Sequence, residues 1–133
     1  MLYLLDTNSI SRLMREDAEM AVWLGSVRDD DHVVTCTIAR GEVLFGINRM
    51  MPGRRRSELE FKAQQLFAVL PCEAVPPSAG DQYANLKLSQ QRRGLSLDEN
   101  DLRIAASALA IGATLVSGDR DFAGIESLAL ISP

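Results

Sequence analysis

Histidine is almost missing from this chain. His32 stands alone, and the only cysteines are Cys36 and Cys72. Two separated thiols make neither a disulfide scaffold nor a CxxC pair, and one histidine beside them argues against a zinc site of His and Cys ligands. A reducing cytoplasm suits this cysteine usage. Lysine is scarce too: Lys62 and Lys87 are the only lysines among 14 basic residues, the rest being arginine. Aromatic residues reach 5%, so the expectation is that base stacking is not a large part of any RNA binding. The longest uncharged stretch, residues 104–118, contains Ser107, Gly112, Thr114 and Ser117, and it falls short of the roughly 18 apolar residues that a membrane helix needs. The opening Met1-Leu2-Tyr3-Leu4-Leu5-Asp6 has no basic region and too short an apolar run for a signal peptide. A cytoplasmic protein, neither secreted by the standard route nor embedded in a membrane, is the expectation.

What is present suits one folded domain over residues 1–133. Hydrophobic residues make up 47% and charged residues 24%, the balance of a globular chain. A chain of this length buries roughly two-thirds of its unfolded surface, enough for one core. The net charge of −4 at first argues against a nucleic-acid partner. Arginine, however, grips phosphate with two prongs, and it clusters at Arg54-Arg55-Arg56 and Arg92-Arg93. Four acids gathered around metal ions would leave the remainder of the chain neutral.

Short apolar runs alternate with helical patterns, which predicts a parallel α/β sheet of about four to five strands. The strands are expected at Tyr3 to Leu5, Val33 to Thr35, Val69 to Val75, Thr114 to Ser117 and Leu128 to Ile131. Helices are expected after a Thr7 or Asn8 cap, from Thr37 to about Met50, from Arg54 to Phe67, from Ser78 to Gly94, and from Glu99 to Ile111. Gly112 ends the last of these. Trp23, Phe45, Phe61 and Phe67 are expected in the core, and His32 on the surface.

Acidic residues occupy positions where chemistry concentrates. Ligands of open α/β sheets bind at the carboxyl ends of strands. Asp6 directly follows the first strand, and Asp119 follows the strand ending at Ser117. Either alone reads as a turn or cap residue. Ile38, Glu42, Phe45 and Arg49 share one helix face by their spacing, which puts Glu42 on a side that should be apolar. Asp101 opens the stripe of Ile104, Ala105, Ala108 and Leu109. A buried carboxylate needs a partner; an arginine could supply it, and Asp101 also reads as a helix-start acid favoured by the macrodipole. For converging carboxylates in a chain without a His or Cys cluster, the natural partner is a hard cation, Mg²⁺ or Mn²⁺.

These residues resemble the PIN-domain family, specifically its VapC-type toxins from toxin–antitoxin pairs. Four segments carry the likeness, in family order: Leu4-Leu5-Asp6-Thr7-Asn8, residues 37–46 from Thr37 through Glu42 to Gly46, residues 101–108 from Asp101, and residues 115–122 from Leu115 through Asp119 to Phe122. The resemblance implies a three-layer α/β/α sandwich with a central, mainly parallel sheet. It implies a Mg²⁺- or Mn²⁺-dependent endoribonuclease that acts on tRNA or other structured RNA. The family's four acids carry over onto Asp6, Glu42, Asp101 and Asp119, with Asp121 as the alternative for the fourth. Asp6 and Asp101 would hold metal most directly. Thr7 and Ser117 match hydroxyl positions that order the site, and Arg40, Arg103 and Arg120 lie beside the motifs as candidate phosphate contacts. A homodimer is implied, as is a small cognate antitoxin blocking the site along an apolar groove near Leu13, Met14 and Phe45.

Rival readings fare worse. A haloacid-dehalogenase-like phosphatase needs Asp-x-Asp after the first strand, and Asn8 stands where its second aspartate belongs. A receiver-like domain wants an early acidic pair and a late lysine, and the chain has neither. The remaining alternatives share the fold: a PIN-like module that binds RNA or protein without cutting, or a housekeeping RNA-processing nuclease.

Overall fold

The computed structural model describes residues 1–95 and 97–133. The chain runs β1 (Leu2–Leu5), α1 (Thr7–Met14), α2 (Ala18–Ser26), β2 (His32–Cys36), α3 (Thr37–Asn48), α4 (Arg54–Val69), β3 (Cys72–Glu73), α5 (Ser78–Arg92), α6 (Glu99–Ile111), β4 (Thr114–Val116), a 3₁₀ turn (Arg120–Gly124) and β5 (Leu130–Ile131). All strand pairings are parallel, in the order β3-β2-β1-β4-β5. Helices flank this five-stranded sheet in the α/β/α sandwich that the resemblance implied. Among the described residues, no helix is long and apolar enough to cross a membrane.

The strand order decides where a ligand can sit. The chain builds outward from β1 on one side, through β2 and β3, and then returns to add β4 and β5 on the other. The carboxyl ends of β1 and β4 therefore flank the point where the winding direction reverses. Connections leave in opposite directions there and open a crevice. Register pairs Leu5 with Val116, so Asp6 and Ser117 lie abreast at the edge of that crevice.

Burial explains the strands that hold this edge. Leu4, Leu5, Leu115 and Val116 are fully buried, as expected for the central strands of a sheet covered on both faces. Each contributes about 1.5–3 kcal/mol of apolar transfer. Helix α6 adds Ile104, Ala105, Ala106 and Ala108 to the same core and closes at Gly112, whose φ of 68° lies in the left-handed region open to glycine.

Several expectations give way. Asp6 caps α1, in place of Thr7 or Asn8, by accepting the Ser9 N–H. Helix α2 forms where no helix was expected, with an Asp17 cap that accepts from Met20. The third strand shrinks to Cys72–Glu73 because α4 continues through Val69. Trp23 and Phe67 pack against the core from its margin, Trp23 meeting Tyr3 edge-on at 5.3 Å. Phe45 and Phe61 are not core residues: they are 65% and 60% exposed. In α3 the buried row is Ala39, Val43 and Ile47, and three residues fill that side of the helix without Phe45.

This partition sets a stability contrast. Ile104→Ala should cost about 2–5 kcal/mol through the cavity it leaves, and Phe61→Ala no more than about 0.5 kcal/mol. Urea unfolding of the two variants beside the parent checks it; equal losses would place Phe61 in the core after all.

Candidate active site

Asp6 begins the site. Its side chain is 3% exposed. One carboxylate oxygen accepts the Ser9 N–H at 2.8 Å, and the other accepts the Ser117 hydroxyl at 2.5 Å. The first bond caps α1, whose N-terminal dipole favours negative charge. The second ties the end of β1 to the end of β4. Ser9 strengthens the same seam by donating its hydroxyl to the Val116 carbonyl at 2.7 Å. Ser117 is shared further, since its oxygen accepts the Asp119 N–H at 3.0 Å. Asp119 in turn caps the 3₁₀ turn by accepting the Asp121 N–H at 2.9 Å. Asp119 is thus fixed to the seam through its backbone, whereas Asp121 is exposed beyond it.

Glu42 reaches the same edge from α3. The Thr7 hydroxyl donates to its carboxylate at 2.7 Å, which links the first residue of α1 to the middle of α3. Asp101 arrives on the first turn of α6. That turn is anchored to α5 by Glu99, which accepts from Tyr83 and, at 2.8 Å, from Lys87.

The electrostatics show these acids sharing a field. Burial, first, and then the charges of Asp98, Asp119, Glu42 and Asp6 push the Asp101 carboxyl up to about 6. Asp98 was not singled out in the sequence. It caps α6 three residues before Asp101, a spacing that a D-x-x-D pattern makes visible. No arginine or lysine relieves the repulsion: among the described residues, Asp6, Glu42, Asp101 and Asp119 form no ion pair. Nor do three acidic, histidine or cysteine side chains stand close enough there to make a ready cage for a metal ion. These acids stand close enough for their charges to add to the burial that raises the proton affinity of Asp101.

Arginines near the motifs take different posts. The Arg40 guanidinium lies 4.7 Å above the Phe67 ring and so serves packing. Arg103 donates to Asn100 at 3.2 Å and lies 3.9 Å from Glu99. Arg120 is exposed at the head of the 3₁₀ turn beside Asp119.

Two depressions flank Glu42 and Thr7. One, of about 230 Å³, runs between α1, α3 and α4 past Met14, Val43, Ile47 and Leu59, with Arg15 and Arg55 along it. The other, of about 560 Å³, lies along Ile38, Phe45 and Arg49 of α3 and reaches Asn100 of α6. Arg15 and Arg55 bordered no motif in the sequence, and only the packing of α1, α3 and α4 brings them to the site, whereas Arg49 stands on the row that spacing already shared with Glu42.

Comparison with known proteins agrees with this architecture. No curated protein matches the chain. Among solved structures, the Rickettsia felis VapBC2 complex bound to a promoter DNA fragment contains a similar chain, with a TM-score of 0.89, 22% identity and 98% of each chain covered. VapBC-1 of nontypeable Haemophilus influenzae gives 0.88 and 22%, covering 99% of this chain and 98% of that one. VapC20 of Mycobacterium tuberculosis, described as a sarcin-ricin loop cleaving toxin, gives 0.70 and 20%, covering 98% and 99%. At such identities the likeness is one of fold. The family model described as PIN domain matches residues 3–128, and on that match the chain belongs to the PIN-domain family.

Proposed function

We propose that this chain is a divalent-metal-dependent endoribonuclease, a VapC-type toxin that cleaves structured RNA and is restrained by a cognate antitoxin. The observation that carries the reading is the set of carboxylates at the switch-point crevice. Asp6 follows β1, Glu42 lies on α3, Asp101 on α6, and Asp119 follows β4; together they raise the proton affinity of Asp101 and have no basic partner among the described residues. Such a set suits a hard cation with oxygen ligands, and Mg²⁺ or Mn²⁺ fits it. The VapC20 likeness supports RNA as the substrate, and the VapBC complexes support an antitoxin partner.

In this reading Asp6 and Asp101 hold the ion most directly, with Glu42 and Asp119 beside them. The cation, when bound, lowers the pKa of water and stabilises charge on phosphate oxygens. The chain supplies the positioning. Ser117 fixes one oxygen of Asp6, and the α1 N-terminus fixes the other. Thr7 turns Glu42 toward the crevice. Arg120, exposed beside Asp119, is placed to meet a phosphate, whereas Arg40 is engaged with Phe67. The apolar groove along Met14, Val43, Ile47 and Leu59 opens onto Thr7 and Glu42. An antitoxin segment lying there would cover the site, with Arg15 and Arg55 meeting its acidic groups. The chain acts as a single domain, in the cytoplasm, and pairs as a homodimer.

Two outcomes are expected. First, purified protein freed of antitoxin should cut end-labelled tRNA or ribosomal RNA with Mg²⁺ or Mn²⁺ and not with EDTA. Asp101→Asn and Glu42→Gln should each lower the rate by about 100-fold or more, the scale on which lost electrostatic stabilisation is felt. Metal-independent cutting, or full activity of either variant, would overturn the reading. A folded protein that binds RNA without cutting would mark a binding module.

Second, activity and stability should move in opposite directions. An Asp101 whose proton affinity is raised in the folded state penalises folding once it ionises. The penalty is absent below about pH 4, grows as the pH rises toward 6, and is full above that. Asp101→Asn removes it. In EDTA at pH 7.5 the variant should gain about 1–2 kcal/mol after solvent screening, read as a melting temperature higher by several degrees. That gain should vanish near pH 4. A variant less stable than the parent at pH 7.5 would show that Asp101 is not under repulsion.

A further inference from the structure

We propose that Phe45 and Arg49 form a stacking platform for an unpaired nucleobase of the RNA, next to the scissile position; this rests on the nuclease reading above. The row Ile38, Glu42, Phe45 and Arg49 forms one wall of the 560 Å³ recess, and Thr7, Thr37 and Asn100 also line it. The recess is large enough for a nucleotide-sized ligand. Glu42 and Phe45 are three residues apart on one helix, which makes them surface neighbours. A base on Phe45 would therefore belong to a nucleotide adjoining the carboxylates.

The ring is open to a flat partner. Phe45 is 65% exposed, and the Arg49 guanidinium lies 5.7 Å from its centroid. Among the described residues Arg49 has no acidic partner, so its charge is free for the phosphate of the stacked nucleotide. Guanidinium and aromatic faces are the two surfaces on which unpaired bases stack. Thr37 and Asn100 offer donors and acceptors to a base edge. The recess also contains the Glu42 carboxylate, which makes it a poor seat for the apolar face of another protein. Phe61 is comparably exposed, at 60%, but lies on α4 away from this wall. It serves as an internal control.

Selection for an unpaired base follows. In a duplex the base face is covered by its neighbours, so the platform would take a loop, bulge or end.

The test uses full-length protein carrying Asp101→Asn, which blocks cleavage in the present reading, and single-stranded oligoribonucleotides carrying 2-aminopurine. Stacking should quench the probe. Adding Phe45→Ala should weaken binding about tenfold or more and remove the quench. Phe45→Tyr should restore both, and Phe61→Ala should change neither. Arg49→Gln should weaken binding and flatten its salt dependence. The same oligonucleotide annealed to its complement should bind without quenching. Unchanged affinity and quench in Phe45→Ala, beside a wild-type protein that cuts RNA, would overturn the platform and leave the nuclease standing. Loss of self-association in Phe45→Ala with RNA affinity intact, seen by light scattering, would make the ring a contact between protomers and also overturn it. Wild-type protein that neither binds nor cuts RNA would overturn the nuclease reading and the platform with it.

Discussion

The Ser117 hydroxyl bonded to the Asp6 carboxylate is the contact on which the crevice depends. Two strands that pair side by side diverge past their last residues, and a buried carboxylate at that point would be costly without partners. Ser117 answers both problems. It satisfies one oxygen of Asp6, and it takes the backbone N–H of Asp119, so the loop after β4 turns back toward β1. The α1 dipole and the Ser9 N–H hold the other oxygen. The result is a carboxyl group held by hydrogen bonds on both oxygens at the bottom of a crevice whose remaining acids, Glu42, Asp101 and Asp119, are brought in from separate helices and a turn. Burial and the charges of the neighbouring acids together raise the proton affinity of Asp101.

Helix α3 carries two jobs on two sides. Its buried row, Ala39, Val43 and Ile47, is made of small or branched residues that let it lie close to the core and to α1, α4 and α6. Its other row, from Ile38 to Arg49, faces a recess. Glu42 sits where it can serve both depressions, one apolar and one of mixed chemistry. That division leaves two separate surfaces around a single set of acids.

Much of this was legible in the order of residues. The strand-end positions of Asp6 and Asp119 follow from short apolar runs ended by acids, and β4 and α6 from a β-branched run and a periodic stripe closed by Gly112. The spacing of Ile38, Glu42, Phe45 and Arg49 also proved to be one row. What spacing could not supply was the direction that row faces. Apolar residues occur on two sides of α3, and only packing against the rest of the chain decides which side is inside. Helix α2 escaped for a similar reason, as Met20 is its one fully buried residue and its apolar positions make no stripe. The third strand shrank because α4 runs on through Val69 and leaves only Cys72 and Glu73 to pair with β2. The hydroxyl bonds of Thr7 and Ser117 depend on distances across 35 and 111 residues, which no local pattern encodes.

The pairing of β1 with β4 has a consequence for synthesis. Leu5 meets Val116 only after more than a hundred residues have been added, and contacts this distant in sequence form late. A chain emerging from the ribosome with its N-terminus first can complete α1, β2 and α3 early, but Asp6 has no Ser117 to hold it and Asp101 has no sheet to lean on. The crevice comes into being only when the last fifth of the chain is free. A half-made molecule therefore carries Asp6 and Glu42 without the site.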